Sequence, residues 1–168
     1  MLSHKVFIFY FLILLLSTPW VAASENEIHI EADKVEMDEK SGTSSYIGNV
    51  KLSQDNLTIH AETLTVYADK SSLSKIIAIG KPARFDQAAT AKSPNPVSAE
   101  AKRIEYNAIA LSLKLTSNVE LRHGENRFTG EKVQYDIRNN IMKASGDENK
   151  KRVQAIIQLD NLNQIQAP

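Results

Sequence analysis

The residues of this chain best suited to bind a metal ion or transfer a proton are four histidines, His4, His29, His60 and His123. Histidine titrates near neutral pH and is the commonest metal ligand in proteins. No two of the four stand at a metal-ligand spacing, and no carboxylate completes a motif with them. His29 and His60 fall on the polar phase of their segments, which favours solvent exposure. We therefore predict no metal and no cofactor.

Two further sets of polar residues have types that enzymes use. Residues 72–75, Ser-Leu-Ser-Lys, have the serine–lysine spacing of penicillin-recognising enzymes, but the partner motifs are missing and the segment reads as a turn between strands. Asp33, Glu62 and Glu131 recur at equivalent repeat positions beside basic residues, which is typical of solvated side chains rather than of an acid–base pair. Since the chain also has no cysteine, we expect no enzymatic activity.

Length and charge narrow the class of protein further. The 168 residues suffice for one domain and a leader. Lysine and arginine number 20, and aspartate and glutamate also number 20. Because the formal net charge is zero, the chain has no overall positive charge that would attract the phosphate backbone of a nucleic acid. We therefore do not expect a nucleic-acid partner.

The N-terminus has the order of a secretory signal. Lys5 precedes an apolar run over 6–16, and Pro19 and the small residues Ala22 and Ala23 follow it. This run is shorter than the roughly 20 residues that span a bilayer as a helix. We predict a signal peptide over residues 1–23, cut after Ala23, and export of the remainder. The alternative is an uncleaved membrane anchor.

The exported part alternates apolar and polar residues with a period of two. This pattern predicts half-buried β-strands, and Gly, Asn, Asp and Pro between them predict short turns. We assign one all-β domain to residues 24–160 and a tail to 161–168. The alternating apolar sets are Ile28/Ile30/Ala32, Leu57/Ile59/Ala61, Leu111/Leu113/Leu115 with Val119/Leu121, and Val153/Ala155/Ile157/Leu159.

A unit that begins with a small residue recurs four times, at Ala32, Ala61, Ala101 and Gly130. In each copy the next apolar residue lies three positions later, and an odd shift cannot keep a period-two strand on one face. The chain must therefore bulge or bend at the small residue and pass to another sheet. The Pro/Ala/Ser-rich stretch 88–96 reads as a long loop inserted between the second and third copies.

Four such units predict a sandwich or jelly roll with an apolar interior and two open edges. The interior could be an ordinary filled core, or it could hold acyl chains. Composition and periodicity leave both possibilities open.

The ordered set of repeat elements resembles the OstA/LptA family of periplasmic lipopolysaccharide-transport proteins, over about residues 27–160. The resemblance implies an open, twisted β-jelly roll of about sixteen antiparallel strands, without catalysis. It also implies binding of the lipid A part of lipopolysaccharide, and a bridge between inner-membrane LptC-like and outer-membrane LptD-like partners. The residues that carry it are 28–33 (IHIEAD), 48–50 (GNV), 80–85 (GKPARF), Tyr106, 115–118 (LTSN), 130–135 (GEKVQY) and 151–153 (KRV).

The same resemblance implies which residues meet lipid. The positions that match the family's N-terminal strand and inward aromatics are Ile28, Ile30, Phe85 and Tyr106. Lys81 and Arg84 could meet sugar phosphates at the rim of the interior. Ser117 stands where the family usually has glycine, so we expect the conformation of that turn to differ.

Open edges explain how such a protein would meet its partners. An exposed strand can pair with a strand of the next molecule by β-augmentation, which would also support head-to-tail self-association. Two alternatives stay open: an LptC-like subunit anchored by residues 1–23, and a structural β-repeat protein with no lipid cargo. The predicted edges are Ile28, Ile30 and Ala32 at one end and Val153, Ala155, Ile157 and Leu159 at the other.

Overall fold

A computed structural model describes residues 27–69, 72–91, 93–147 and 152–158. The predicted signal peptide, its cleavage site and the tail over 161–168 lie outside these residues. The described part is all-β, as predicted, and it contains no helix long and apolar enough to cross a membrane. Its strands are β1 (His29–Glu31), β2 (Lys34–Asp38), β3 (Thr43–Gln54), β4 (Leu57–Asp69), β5 (Ser72–Gln87), β6 (Val97–Asn107), β7 (Ser112–His123), β8 (Asn126–Asp136), β9 (Ile141–Ser145) and β10 (Gln154–Ile156).

All described strands belong to one antiparallel sheet, in the order β1-β3-β4-β5-β6-β7-β8-β10, with β2 also on β3 and β9 also on β8. The pairing register shifts near the middle of every long strand. These shifts divide the sheet into two halves. Layer 1 contains β1, β10 and segments 50–54, 57–61, 83–87, 97–101, 119–123 and 126–130; layer 2 contains β2, β9 and segments 43–47, 63–69, 72–79, 103–107, 112–116 and 132–136.

The bends lie at the small residues that the repeat identified. Ala61, Ala101 and Gly130 each stand at a register shift, and Ala32 lies between β1 and β2. A Cβ added at Gly130 would come 3.1 Å from the carbonyl oxygen of Ser145, so the bend leaves little room for a side chain. The predicted bends are confirmed, but at each of them the chain passes to the other half of the same sheet and not to another sheet.

The structure does not confirm the expected number of about sixteen strands. The described residues form ten, because β3 to β8 each run continuously through a bulge from layer 1 to layer 2. A bulge inserts an unpaired residue and bends the strand without ending it. The predicted long loop over 88–96 agrees with the gap between β5 and β6.

The two layers face each other across a shared apolar interior, here called the interior slot. Inward side chains of both layers form one buried cluster, and two ring contacts join the layers directly. The ring centroids of Phe85 and Tyr106 are 5.7 Å apart, and those of His123 and Tyr135 are 5.5 Å apart. Apolar burial on this scale dominates the stability of a fold of this kind.

Candidate functional site

The interior slot opens at the end where β1 and β2 lie, at an opening here called the N-terminal mouth. A cavity of about 420 Å³ at this end is lined by residues of both layers, including Ile28 and Ile30 before and on β1, Tyr46 on β3 and Val66 on β4. Ile28, Ile30 and Tyr46 are half-buried and pack against the core. The predicted lipid contacts Ile28 and Ile30 are therefore brought together, at an opening rather than in a closed core.

Strand β2 adds two exposed apolar side chains to the N-terminal mouth. Val35 is 55% exposed and Met37 is 66% exposed. Val35 pairs with Tyr46, and Met37 pairs with Ser44, whose partner on β4 is the buried Val66. Because paired residues share a face of a sheet, both side chains lie on the slot side. Large apolar groups left in water next to a cavity are typical of a binding surface.

The other two predicted lipid residues lie in the middle of the interior slot. Phe85 on β5 is only 1% exposed, and Tyr106 on β6 is half-buried against it. Burial raises the pKa of the Tyr106 hydroxyl, which stays protonated. These two residues fill the space between the layers, so an acyl chain could reach them only if the layers part.

The opposite end of the interior slot, around β9 and β10, is here called the C-terminal mouth. Met142 and Ala144 on β9 face the slot, since they pair with the buried Tyr135 and Val133. Ala155 on β10 pairs with Phe128, and Val153 and Ile157 flank that strand. Val153 is 38% exposed and Ile157 is 57% exposed.

The paired edge strands are shorter than the predicted edge segments. Ile30 lies within β1, whereas Ile28 and Ala32 flank it; Ala155 lies within β10, whereas Val153 and Ile157 flank it. Leu159 lies outside the described residues. Within the described part, β1 and β2 pair only with β3, and β9 and β10 pair only with β8, so each has one unpaired edge.

The basic residues suggested for sugar phosphates lie outside the interior slot. Arg84 alternates with the buried Ala83 and Phe85, so its side chain faces outward, 3.1 Å from Glu100. Lys81 is 82% exposed at the bend, and its Nζ lies 3.4 Å from Glu62. Both cations have a carboxylate partner on the protein surface, and neither lines the mouths.

The remaining polar motifs occupy surface positions. Asp33 is exposed and accepts a hydrogen bond from the Asn49 side chain at 3.0 Å. This bond stabilises the first bend, which lies between β1 and β2. Ser72 and Lys75 belong to β5 rather than to a turn, because this strand begins earlier than its turn-like sequence indicates. No cluster of metal-ligating residues occurs anywhere in the described ranges.

Glu120 forms the densest ion cluster of the outer face of layer 1. Arg127 lies 2.7 Å and Arg122 2.8 Å from its two carboxylate oxygens. Partial burial works to raise the pKa of Glu120, but hydrogen bonds and charge from both arginines hold that pKa below its ordinary value. The cluster crosslinks β7 and β8 on the face that points away from the slot.

His123 is a slot residue that the sequence analysis did not identify. It pairs with the buried Val97 and therefore faces inward, against Tyr135. Burial lowers the pKa of His123, which favours the neutral imidazole. The signal was present, because His123 continues the two-residue alternation of Val119 and Leu121.

The fold and its mouths together define an open β-jelly-roll protein with an apolar slot between two layers. In the described part of the chain, each layer ends on both sides in a strand that has one free edge. Residues 29–141 match the family model described as LptA/(LptD N-terminal domain) LPS transport protein. The chain belongs to this family. The predicted family and the predicted function, lipopolysaccharide transport, are thereby confirmed, and the chain is a member of the Lpt transport system.

Named relatives agree with this assignment. The chain is 29% identical over 121 residues to the lipopolysaccharide export system protein LptH of Pseudomonas aeruginosa, covering 71% of this chain and 69% of that one. It is 28% identical over 130 residues to LptA of Escherichia coli K12, covering 76% and 69%. The LptA of Haemophilus influenzae is 25% identical over 169 residues, covering 98% and 96%.

A solved structure shows the same architecture. The crystal structure of the Pseudomonas aeruginosa LptH, described as a periplasmic component of the lipopolysaccharide transport device, superimposes with a TM-score of 0.71. The match covers 80% of this chain and 96% of that chain, at 26% identity. These similarities do not favour the alternative of a membrane-anchored subunit.

Proposed function

We propose that this protein binds the acyl chains of lipopolysaccharide in the interior slot and passes them from mouth to mouth across the periplasm. One observation carries the proposal: apolar side chains of both layers are exposed to water around the N-terminal mouth, where β1 and β2 each have only β3 as a neighbour among the described strands. Burying them against an acyl chain is favourable by about 25 cal/mol for each Å² removed from water.

The centre of the interior slot must open for an acyl chain to pass. The layers are joined covalently at the bulges, and across the slot they hold together by apolar side chains such as Phe85 and Tyr106. An acyl chain that enters replaces one set of apolar contacts by another, so little of the hydrophobic stabilisation is lost. Ile28, Ile30, Phe85 and Tyr106 would then be lipid contacts in order of depth.

Site-specific photocrosslinking to purified lipopolysaccharide tests this path. A benzophenone side chain replaces Ile30 or Tyr46 at the mouth, and Tyr106 in the centre. The matched controls replace the adjacent outward residues His29, Ser45 and Glu105. We expect adducts at the inward positions and several-fold fewer at their neighbours.

Three outcomes of this experiment bear on the proposal. Adducts at the mouth and at Tyr106 support passage through the slot. Equal adducts on both faces would refute a slot and indicate surface adsorption. A folded protein, checked by circular dichroism, without adducts at any position would favour the structural protein with a filled core.

We also propose that residues 1–23 are removed on export and that the protein acts in the periplasm between LptC-like and LptD-like partners. The location given for the Pseudomonas aeruginosa relative supports this. The mass of the protein recovered from the periplasmic fraction tests it, because cleavage after Ala23 leaves a chain that begins at Ser24. Recovery of the full-length chain from membranes would overturn the proposed leader.

A further inference from the structure

Three turns that connect strands of layer 2 are built in the same way. The β2–β3, β6–β7 and β8–β9 turns span residues 39–42, 108–111 and 137–140. The strand before each turn ends in an aspartate or asparagine, whose side-chain oxygen accepts a hydrogen bond from the backbone N–H of the third turn residue. The donors and acceptors are Ser41 and Asp38 at 3.4 Å, Ala110 and Asn107 at 2.7 Å, and Asn139 and Asp136 at 3.0 Å.

The β6–β7 turn differs from the other two because all of its side chains are apolar. It reads Ala-Ile-Ala-Leu, whereas the others read Glu-Lys-Ser-Gly and Ile-Arg-Asn-Asn. Ile109 is 70% exposed, more than any other large apolar residue that the structure describes, and Leu111 is 37% exposed. Surface turns usually carry Gly, Pro, Asn, Asp and Ser. Since polar residues form the same turn elsewhere in this sheet, the fold does not require apolar ones here.

Leu111 also opposes the backbone conformation of its position. The last residue of each turn is left-handed, with a φ of +62° at Gly42, +51° at Leu111 and +54° at Asn140. Glycine and asparagine adopt this conformation readily, whereas a leucine in it is strained. Residues that break a local rule are typical of functional positions. An exposed leucine at a strained position therefore indicates a contact outside the chain.

Hydrogen bonds join the β6–β7 turn to the β8–β9 turn. The backbone N–H of Ile137 donates to the carbonyl oxygen of Leu111 at 2.9 Å, and Nη2 of Arg138 donates to that of Ile109 at 3.2 Å. A cavity of about 360 Å³ beside the two turns is lined in part by Ile141, which is 52% exposed. The joined surface, here called the tip platform, consists of residues 108–112, Lys114, residues 136–141 and Lys143.

Cations surround the apolar side chains of the tip platform. Three exposed cations and one carboxylate, that of Asp136, give the platform a net charge of +2. Both oxygens of Asp136 already accept hydrogen bonds from Asn139. Glu105 lies beside the platform, 3.1 Å from Arg103 and 4.0 Å from the nearest platform cation, so its charge is balanced. The three cations are Lys114, Arg138 and Lys143.

From these observations we propose that the tip platform docks on the surface of an anionic lipid bilayer. Ile109, Leu111 and Ile141 enter the boundary between headgroups and acyl chains, and the cations contact lipid phosphates. Apolar side chains flanked by basic residues are typical of surfaces that bind a membrane interface. Three apolar side chains are far fewer than the roughly 20–30 residues that each partner contributes to a stable protein interface. A bilayer, in contrast, requires no complementary shape.

The tip platform lies on one long side of the interior slot. The bends join the two layers along the opposite long side, and the turns lie where no described strand passes between the layers. The platform also adjoins the slot, because the hydroxyl of the slot residue Tyr135 donates to Oδ1 of Asn140 at 3.0 Å. Docking would therefore hold this side of the slot against the membrane.

Flotation with lipid vesicles tests the docking. The protein that begins at Ser24 is mixed with vesicles of phosphatidylcholine, alone or with about 30% of the anionic phosphatidylglycerol. We expect binding to the anionic vesicles, and several-fold weaker binding without phosphatidylglycerol or in about 1 M NaCl, where the Debye length is about 3 Å. Ile109→Ser should weaken binding about tenfold. Lys143→Gln should weaken it about fivefold, the effect of one basic residue near an anionic surface.

Ile79→Ser is the matched control. Ile79 is 44% exposed on the outer face of layer 2, but it stands at the bend of β5, away from the turns. Its replacement should leave vesicle binding unchanged. Equal binding by the parent and Ile109→Ser would overturn the proposal. Failure of the folded parent to bind anionic vesicles would overturn it as well.

The docking is separable from lipid binding in the slot. Ile109→Ser should retain the lipopolysaccharide adducts of a photocrosslinking probe at position 30, because Ile109 lies outside the slot. Uptake of phospholipid chains into the slot would make vesicle binding independent of Ile109 and of phosphatidylglycerol. Loss of slot adducts in the parent, with vesicle binding intact, would overturn only the proposed function.

A fluorescent probe locates the contact. The sequence has no cysteine, so Ala110→Cys and Ser41→Cys each provide one site for an environment-sensitive dye, at the third position of equivalent turns. With anionic vesicles we expect a blue shift and quenching by nitroxide-labelled lipid at position 110, and neither at position 41. An equal response at both positions, or a response at position 41 alone, would overturn the proposed orientation.

Extracted lipid separates a bilayer from a protein partner. The dye at position 110 is read with native membranes and with vesicles made from the lipids extracted from them. A blue shift with both supports docking on the bilayer. A blue shift only when the membrane proteins are present would assign the tip platform to a protein partner and overturn the proposal.

Discussion

Replacing Ser117 by glycine should make the protein more stable. Ser117 lies at the bulge of β7 with a φ of +67°, and Asn118 follows with a φ of +55°. The corresponding bulge of β3 has Gly48 at +82° and Asn49 at +45°. The same backbone conformation is thus built once with glycine and once with serine.

The expected gain follows from two opposing terms. A residue with a Cβ in the left-handed region costs about 1–2 kcal/mol relative to its preferred conformations. Glycine offsets about 0.5–1 kcal/mol of this gain, because an unfolded chain with glycine at this position has more conformational entropy to lose on folding. At the middle of these two ranges, Ser117→Gly should therefore raise the free energy of unfolding by about 0.5–1 kcal/mol, and Tm by about 2–3 °C for a domain of this size.

The reciprocal variant Gly48→Ser provides the control. A Cβ at position 48 would lie 2.2 Å from Oδ2 of Asp33, the atom that accepts the hydrogen bond from Asn49. We expect a loss of about 1–3 kcal/mol from this clash together with the positive φ. Urea titrations and thermal melts of both mature variants measure the effects. A Ser117→Gly protein no more stable than the parent, or a neutral Gly48→Ser, would refute the reasoning.

Three further predictions concern the interior slot and the outer face. Phe85→Ala should lower the free energy of unfolding by about 3–5 kcal/mol in a urea titration, and Phe85→Leu by less than about 1.5 kcal/mol. Burial lowers the pKa of His123 in the folded protein, so as the pH drops below about 6.5 the histidine of the unfolded chain takes up a proton first and the folded state loses stability. His123→Phe should flatten this part of a plot of Tm against pH. The pKa of Glu120 is held below its ordinary value of 4.5. The stabilisation of the fold by the ionised Glu120 is therefore complete above pH 4.5 and is lost as the pH falls below that value. The difference in urea midpoint between the parent and Glu120→Gln should accordingly shrink between about pH 7 and about pH 3.

The repeat made the strands and the bends predictable. Leu57 and Ile59, which alternate with polar residues, are both buried on one face of β4. The odd spacing from Ala101 to Ile104 correctly located the bend of β6, because a strand cannot change its inward phase without a bulge. Local alternation encodes both features.

The exposure of the mouth could not be predicted from the same pattern. Val35 and Leu64 occupy the same position in the first and second copies, yet Val35 is 55% exposed and Leu64 is fully buried. The difference arises because β4 has a neighbour on each side, whereas β2 pairs only with β3 among the described strands. The number of neighbours is a property of sheet order, which a single repeat does not contain. The alternation of apolar and polar residues also did not show that β3 to β8 continue through their bends, because this too depends on pairing with neighbouring strands.

The composition of the interior slot bears on how a cargo would move within it. Among the described residues, the side chains buried in the slot are apolar, apart from the Tyr135 hydroxyl, which donates a hydrogen bond to Oδ1 of Asn140. A bound acyl chain that advances by one methylene group would exchange dispersion contacts of about 0.1–0.2 kcal/mol per atom pair for similar ones. A cargo held by hydrogen bonds would instead break about 1 kcal/mol for each bond at every step. The free-energy profile along the slot is therefore smooth, and diffusion along it has no preferred direction. Net flux of lipid would then follow the difference in lipid occupancy that is maintained between the two ends of the slot.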